Sequence, residues 1–85
     1  MKVLFFAQLK EQLNADHTIV ESDSPLTASQ VLNHLVEQNP SWQPFLARDD
    51  LMCAVDQVML NPNEIESKTI NDNQEVAFFP PVTGG

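Results

Sequence analysis

Apolar positions in the opening segment, Lys2 to Leu9, do not alternate. Val3, Phe5 and Ala7 fall on one side of an extended chain, Leu4 and Phe6 on the other. The segment is rich in β-formers and reads as a strand, and a strand apolar on both sides is expected to be covered on both. The polar stretch Lys10 to Asn14 has room for one helical turn. Thr18-Ile19-Val20 reads as a second strand, pairing antiparallel with the first.

A helix follows. Ala28, Val31, Leu32, Leu35 and Val36 sit at i, i+3, i+4, i+7 and i+8, one apolar stripe. Thr27 stands where an N-cap belongs, Gln30 completes a capping box, and Leu26 with Val31 matches a hydrophobic staple. Pro40 disfavours helical geometry in Asn39, so the helix is expected over 27–39.

Ser41 to Asp50 reads as irregular, with Trp42, Phe45 and Leu46 packing back on the core. Leu51 to Val55 is the next expected strand, Asp56-Gln57 a tight turn and Val58 to Leu60 a short return. Asn61-Pro62-Asn63 is a loop. Asn71-Asp72-Asn73 is a turn in which Asn can take left-handed geometry without glycine. Glu75 to Phe79 is the last strand, and Pro80-Pro81, lacking two donors in succession, ends it.

The order β-β-α-β-β-β predicts an α+β fold of the β-grasp (ubiquitin-like) type, a mixed sheet with one main helix on one face. The strand entered through the helix is expected to lie parallel to its sheet partner by a right-handed crossover. The chain divides into a β-grasp domain, 1–79, and an extended tail, 80–85, ending in Gly-Gly. One helix covers one face only, so one of Phe5 and Phe6 must look away from it, and Phe78 and Phe79 divide likewise. Outward apolar residues mark a protein interface unless long loops cover them.

Composition narrows the chemistry. Twelve acidic against four basic residues give a net charge of −8, which repels phosphate backbones. Either a basic protein partner or solubility alone accounts for it. The single cysteine, Cys53, permits no intrachain disulfide and argues for a reducing, cytoplasmic setting; no export signal or membrane span is legible. Two glycines, both terminal, exclude every Gly-rich phosphate cradle. His17 and His34 are too few for an evident metal site and read as solvated. Cys53, between Met52 and Ala54 with no cation beside it, reads as a core thiol rather than a nucleophile. Asp49-Asp50 and Glu64/Glu66 have no His or Lys beside them and read as loop charge. No active site, metal site or permanently bound cofactor emerges from the interior.

The tail is where the chemistry lies. Ordinary usage predicts about six glycines in a chain this long. Two placed at random would both fall at the end about once in 3,600 chains. Pro80 and Pro81 hold φ near −65° and stiffen the stem, while Val82 and Thr83 extend it. Gly84 and Gly85 carry no Cβ, so the backbone can enter a channel too narrow for side chains. The Gly85 carboxylate is then the reactive group at the tip, presented to another protein's active site.

Gln74 to Gly85, with its Phe-Phe-Pro-Pro-Val-Thr-Gly-Gly ending, resembles the C-terminal signature of the molybdopterin synthase small-subunit (MoaD-type sulfur-carrier) family. Lys2 to Ala7 and Ala54-Val55-Asp56-Gln57 are similar to that family too. Asp56, where the family often has Asn, and Asn73, where Gly is common, depart from it. The resemblance implies a carrier that is not an enzyme by itself. An E1-like adenylyltransferase would use ATP to join Gly85 to AMP, and a sulfur donor would displace AMP to leave a thiocarboxylate. The tail would then give its sulfur to the pyranopterin precursor of the molybdopterin dithiolene, inside a heterotetramer of two carriers and two large subunits. It further implies that Phe6, Met59 and Phe79 contact the large subunit. A sulfur carrier of thiamine or tRNA-thiolation type, a ubiquitin-like modifier linked through Gly85 to lysine, and a plain binding module are the alternatives.

Overall fold

A computed structural model describes residues 1–81. The chain runs β1 (Lys2–Phe5), α1 (Ala7–Leu13), β2 (His17–Ile19), β3 (Leu26–Thr27), α2 (Ala28–Gln38), α3 (Gln43–Leu46), β4 (Met52–Val55), β5 (Val58–Met59), β6 (Thr69–Ile70) and β7 (Glu75–Phe79). Single 3₁₀ turns cover Pro40–Trp42 and Pro62–Glu64.

Five strands form one sheet in the order β2-β1-β7-β4-β5, and β3 with β6 forms a separate two-stranded ribbon. This mixed sheet under one main helix is the expected β-grasp. The parallel pair, however, is β1 with β7. β4, the first strand of the main sheet after α2, is antiparallel to both neighbours, contrary to expectation. It runs in the same direction as β2, but β1 and β7 lie between them. The C-terminal strand takes the slot beside β1 that the crossover rule would have given to β4.

Inner-face residues close the core. Val3 and Phe5 of β1 register with Val76 and Phe78 of β7, which register in turn with Val55 and Cys53 of β4. All six are buried against Ala28, Val31 and Leu35 of α2. The Phe5 ring meets Trp42 edge-to-face, centroids 5.4 Å apart, so the 40s segment packs back as expected. Its ordered form was not foreseen: Pro40 and Pro44 sit in the first turns of short helices, where a missing N–H costs nothing.

Helix α2 matches its prediction. The Thr27 hydroxyl accepts from the Gln30 N–H at 3.2 Å, and the Gln30 side chain accepts from the Thr27 N–H at 2.9 Å. Its stripe is only partly core, because Leu32 and Val36 stay half-buried. β1 is shorter than expected. It stops at Phe5, and α1 starts at Ala7 because Leu9 and Leu13, one turn apart, are needed in the core. Ala7 enters the helix at φ 56°, and Asn14 leaves it at φ 53°. The Asp56-Gln57 turn is left-handed at both residues, φ 48° and 69°, which is type I′ geometry. Asn71 to Asn73, by contrast, turns without any left-handed residue, closed by Gln74 N–H to the Asn71 carbonyl at 3.0 Å.

Candidate functional site

Side-chain alternation sets the outer sheet face. Leu4 of β1 lies level with Ala77, Ala77 with Ala54, and Ala54 with Met59, a row of four apolar residues on the side away from α2. One step toward the end of β7, Phe79 lies level with Met52. Beside them the Phe6 N–H donates to the Phe78 carbonyl at 3.3 Å. Phe5 and Phe78 are buried, whereas Phe6 is 48% exposed, Met59 47% exposed and Phe79 half-buried. Each phenylalanine pair therefore divides as the one-helix argument required.

Among the described residues no loop of the chain covers this face, so the outer side of β1 is left open within the chain. Phe6, Met59 and Phe79 share the face with Leu4, which alternation had set on the side of Phe6, and with Met52, Ala54 and Ala77, which the sequence reading did not place there. Period-two counting from Ala54 would have placed Met52 there.

The tail leaves from the same corner. Phe79, the last residue of β7, lies in register with Met52 of β4 just before the tail begins. Pro80 is buried and Pro81 half-buried, so the stem is seated on the body at its base instead of projecting from residue 80 onward. Val82, Thr83, Gly84 and Gly85, the expected tip, lie outside the described residues.

The remaining candidates are dispersed. Burial pushes the Cys53 thiol up to about 12, which keeps it protonated and unreactive near neutral pH. His17 is exposed beside Asp16, Nδ1 to Oδ1 2.7 Å, and that contact holds the Asp16 carboxyl below its ordinary range. His34 is half-buried on α2. Asp50 is not solitary as read: Arg48 grips it through Nε and an Nη, both at 2.8 Å. Glu64 caps its own turn by accepting the Asn61 N–H at 2.8 Å. Among the described residues no three potential metal ligands cluster.

An open apolar sheet face beside the root of a C-terminal tail, on a β-grasp body, is the architecture of a ubiquitin-like protein. The chain belongs to the ThiS family, which it matches over residues 3–85. Over 85 residues it is 40% identical to the molybdopterin synthase sulfur carrier subunit of Escherichia coli (strain K12), covering 100% of this chain and 99% of that protein. The crystal structure of SAMP1 from Haloferax volcanii superposes with a TM-score of 0.77 at 24% identity, covering 100% of this chain and 98% of that one. Subunits 1 and 2 of the molybdopterin-converting factor from Helicobacter pylori 26695 have been solved as a complex. It matches with a TM-score of 0.63 at 15% identity, covering 99% of this chain and 96% of the matched one. At those identities the two structures speak for the fold alone.

Proposed function

We propose that this chain is the sulfur-carrier subunit of a molybdopterin synthase, with the Gly85 carboxylate as its working group. The supporting observation is the full-length identity to the Escherichia coli carrier subunit, in a chain whose only glycines are its last two residues.

A carboxylate is a poor electrophile because its charge is delocalised over both oxygens. An E1-like adenylyltransferase overcomes this by letting the Gly85 carboxylate attack the α-phosphorus of ATP, expelling pyrophosphate. The acyl-adenylate has a good leaving group, and sulfide supplied by a donor attacks its carbonyl carbon, forming the C–S bond as AMP departs and leaving the thiocarboxylate. ATP is thus the partner's substrate, and this chain needs no permanent cofactor of its own. The carrier then docks on the large subunit, with two of each in a heterotetramer, and the thiocarboxylate sulfur attacks the pyranopterin precursor. Water then cleaves the acyl–sulfur bond, leaving the sulfur on the pterin and restoring the Gly85 carboxylate. Its own part is to fit: Gly84 slims the approach, Pro80 fixes the root, and Phe6, Met59 and Phe79 supply apolar contact. Nothing in this division of labour needs a catalytic side chain on the carrier. The setting is the cytoplasm, where Cys53 stays reduced; among the described residues no helix is long and apolar enough to cross a membrane.

The test is the intact mass of the chain after co-expression with its adenylating partner and a sulfur source. Replacement of one oxygen by sulfur at the C terminus supports the reading. Lysine-linked conjugates would instead make it a protein modifier. An unchanged mass, or full loading of a chain extended by one residue past Gly85, would sink the carrier role.

A further inference from the structure

Two of the five stripe residues of α2, Leu32 and Val36, remain half-buried, and among the described residues no element closes over them. They line a groove on the flank of the molecule that touches the outer sheet face only at Met52. Its deeper part, about 480 Å³, has Leu32, Leu46, Leu51, Leu60 and Ile65 among its walls. A shallower part of about 360 Å³ shares Leu32 and Leu46 and continues along α2 to Val36 and Glu37. Two adjoining parts that share a wall and open to solvent suit a run of peptide better than a compact small molecule, which favours an enclosed site.

The charge around this groove is one-sided. Asp49, Asp50 and Glu66 stand on the deep part with Arg48 as the one cation there, and Arg48 is engaged by Asp50 through both of its bonded nitrogens. Asp49 and Glu66 are exposed and form no ion pair among the described residues, and Glu37 adds a third such carboxylate at the shallow end. The groove also reaches Met52, the residue level with Phe79, so it begins beside the root of the tail.

We infer that this groove is a second docking site, taken by a protein segment that presents aliphatic side chains flanked by lysine or arginine. Aliphatic groups would cover Leu32, Val36 and Ile65, and the cations would lie against Asp49, Glu66 and Glu37. The groove meets the outer sheet face only at Met52, so a protein held there leaves Phe6 and Met59 free for another. A carrier that passes from an activating protein to an acceptor gains from having two such faces; in that respect the inference rests on the proposed function.

The experiment uses the full chain, ¹⁵N-labelled, with a synthetic amidated peptide alternating leucine and lysine. Amide shifts centred on Leu32, Val36, Leu46 and Ile65 are expected. Affinity should fall at least tenfold in a Glu37→Lys/Asp49→Lys/Glu66→Lys variant, whose substitutions are all on exposed side chains. A leucine–glutamate peptide of the same length should not bind. Shifts centred on Leu4, Ala54 and Ala77, equal binding of the acidic peptide, or affinity unchanged in the triple variant would each overturn the site. Sulfur loading of Gly85 is scored separately. Its failure would remove the carrier reading while leaving the peptide result to decide the groove.

Discussion

The Asp56 carboxylate accepts the Glu75 backbone N–H at 2.9 Å, while the Asp56 N–H donates to the Glu75 carbonyl at 2.8 Å. The second carboxylate oxygen takes the Gln74 side-chain amide at 3.0 Å. One residue of the β4–β5 turn thereby holds the first residue of β7, the strand that ends in the tail. Asparagine keeps one acceptor and tolerates the left-handed backbone, which makes the family's usual residue at this position intelligible.

Stability should therefore carry an acid-side dependence on Asp56. The Glu75 N–H first, and the Gln74 amide next, hold its carboxyl below the ordinary range. A folded pKa below the unfolded one means that the unfolded chain binds the proton more readily. The contribution is complete above about pH 4 and is lost as pH falls through the folded value. Denaturant midpoints at pH 7 should fall in Asp56→Ala and fall less in Asp56→Asn. The gap between wild type and Asp56→Asn should narrow below pH 4. A gap that widened on acidification would contradict the assignment.

Neighbouring phenylalanines should behave in opposite ways. Phe5→Ala removes a ring that is 1% exposed and should cost about 3–5 kcal/mol. A domain of this size has only about 4–13 kcal/mol in total, so the variant should be largely unfolded when warmed. Phe6→Asp and Phe79→Asp alter the open face and should leave the fold intact. Binding to the large subunit should weaken about tenfold to a hundredfold, and more than adenylation does. Titration calorimetry and a pyrophosphate-release assay give the two numbers, and the reverse ordering would remove this face from the interface.

Cys53→Ala should still accept sulfur. The thiol is 1% exposed and burial pushes it up to about 12, so its thiolate is negligible at neutral pH. The substitution should lower stability by about 1–2 kcal/mol through lost packing. Mass spectrometry on the folded variant checks the point. Loss of loading without loss of fold would make the thiol a sulfur relay.

What could be read from the sequence followed signals of short range. The Thr27/Gln30 capping box and the stripe it opens predicted α2 to within a residue at each end, and Pro80 ended β7 at Phe79. The two-residue strands at Leu26 and Thr69 were illegible, because two residues show no period and their pairing joins positions far apart in the chain. The antiparallel setting of β4 depends on which strand fills the place beside β1, and only tertiary packing decides that. On the functional face, Phe6, Met59 and Phe79 came from family likeness. Leu4 falls on the side of Phe6 by alternation alone, whereas setting Met52 level with Phe79 takes the register. Leu32 and Val36 share the apolar stripe of α2 by spacing, and spacing does not report whether anything lies opposite.

The four left-handed positions, Ala7, Asn14, Asp56 and Gln57, are all occupied by residues other than glycine. Asparagine and aspartate tolerate that region through local hydrogen bonds, but alanine and glutamine pay about 1–2 kcal/mol for the Cβ clash. Glycine at either site removes the clash and gives back about 0.5–1 kcal/mol through a looser unfolded chain. Ala7→Gly and Gln57→Gly should each therefore raise stability by about 0.5–1 kcal/mol, several degrees in melting temperature for a domain this small. Ala7→Val should lower it, since a β-branched side chain fits the left-handed region worse still. Calorimetric melting of the three variants decides the matter. Because Ala7 follows Phe6 directly, Ala7→Gly also frees the backbone that aims Phe6 outward. Its affinity for the large subunit should fall even as the melting temperature rises. If both rose together, the Ala7 backbone would have no part in presenting Phe6.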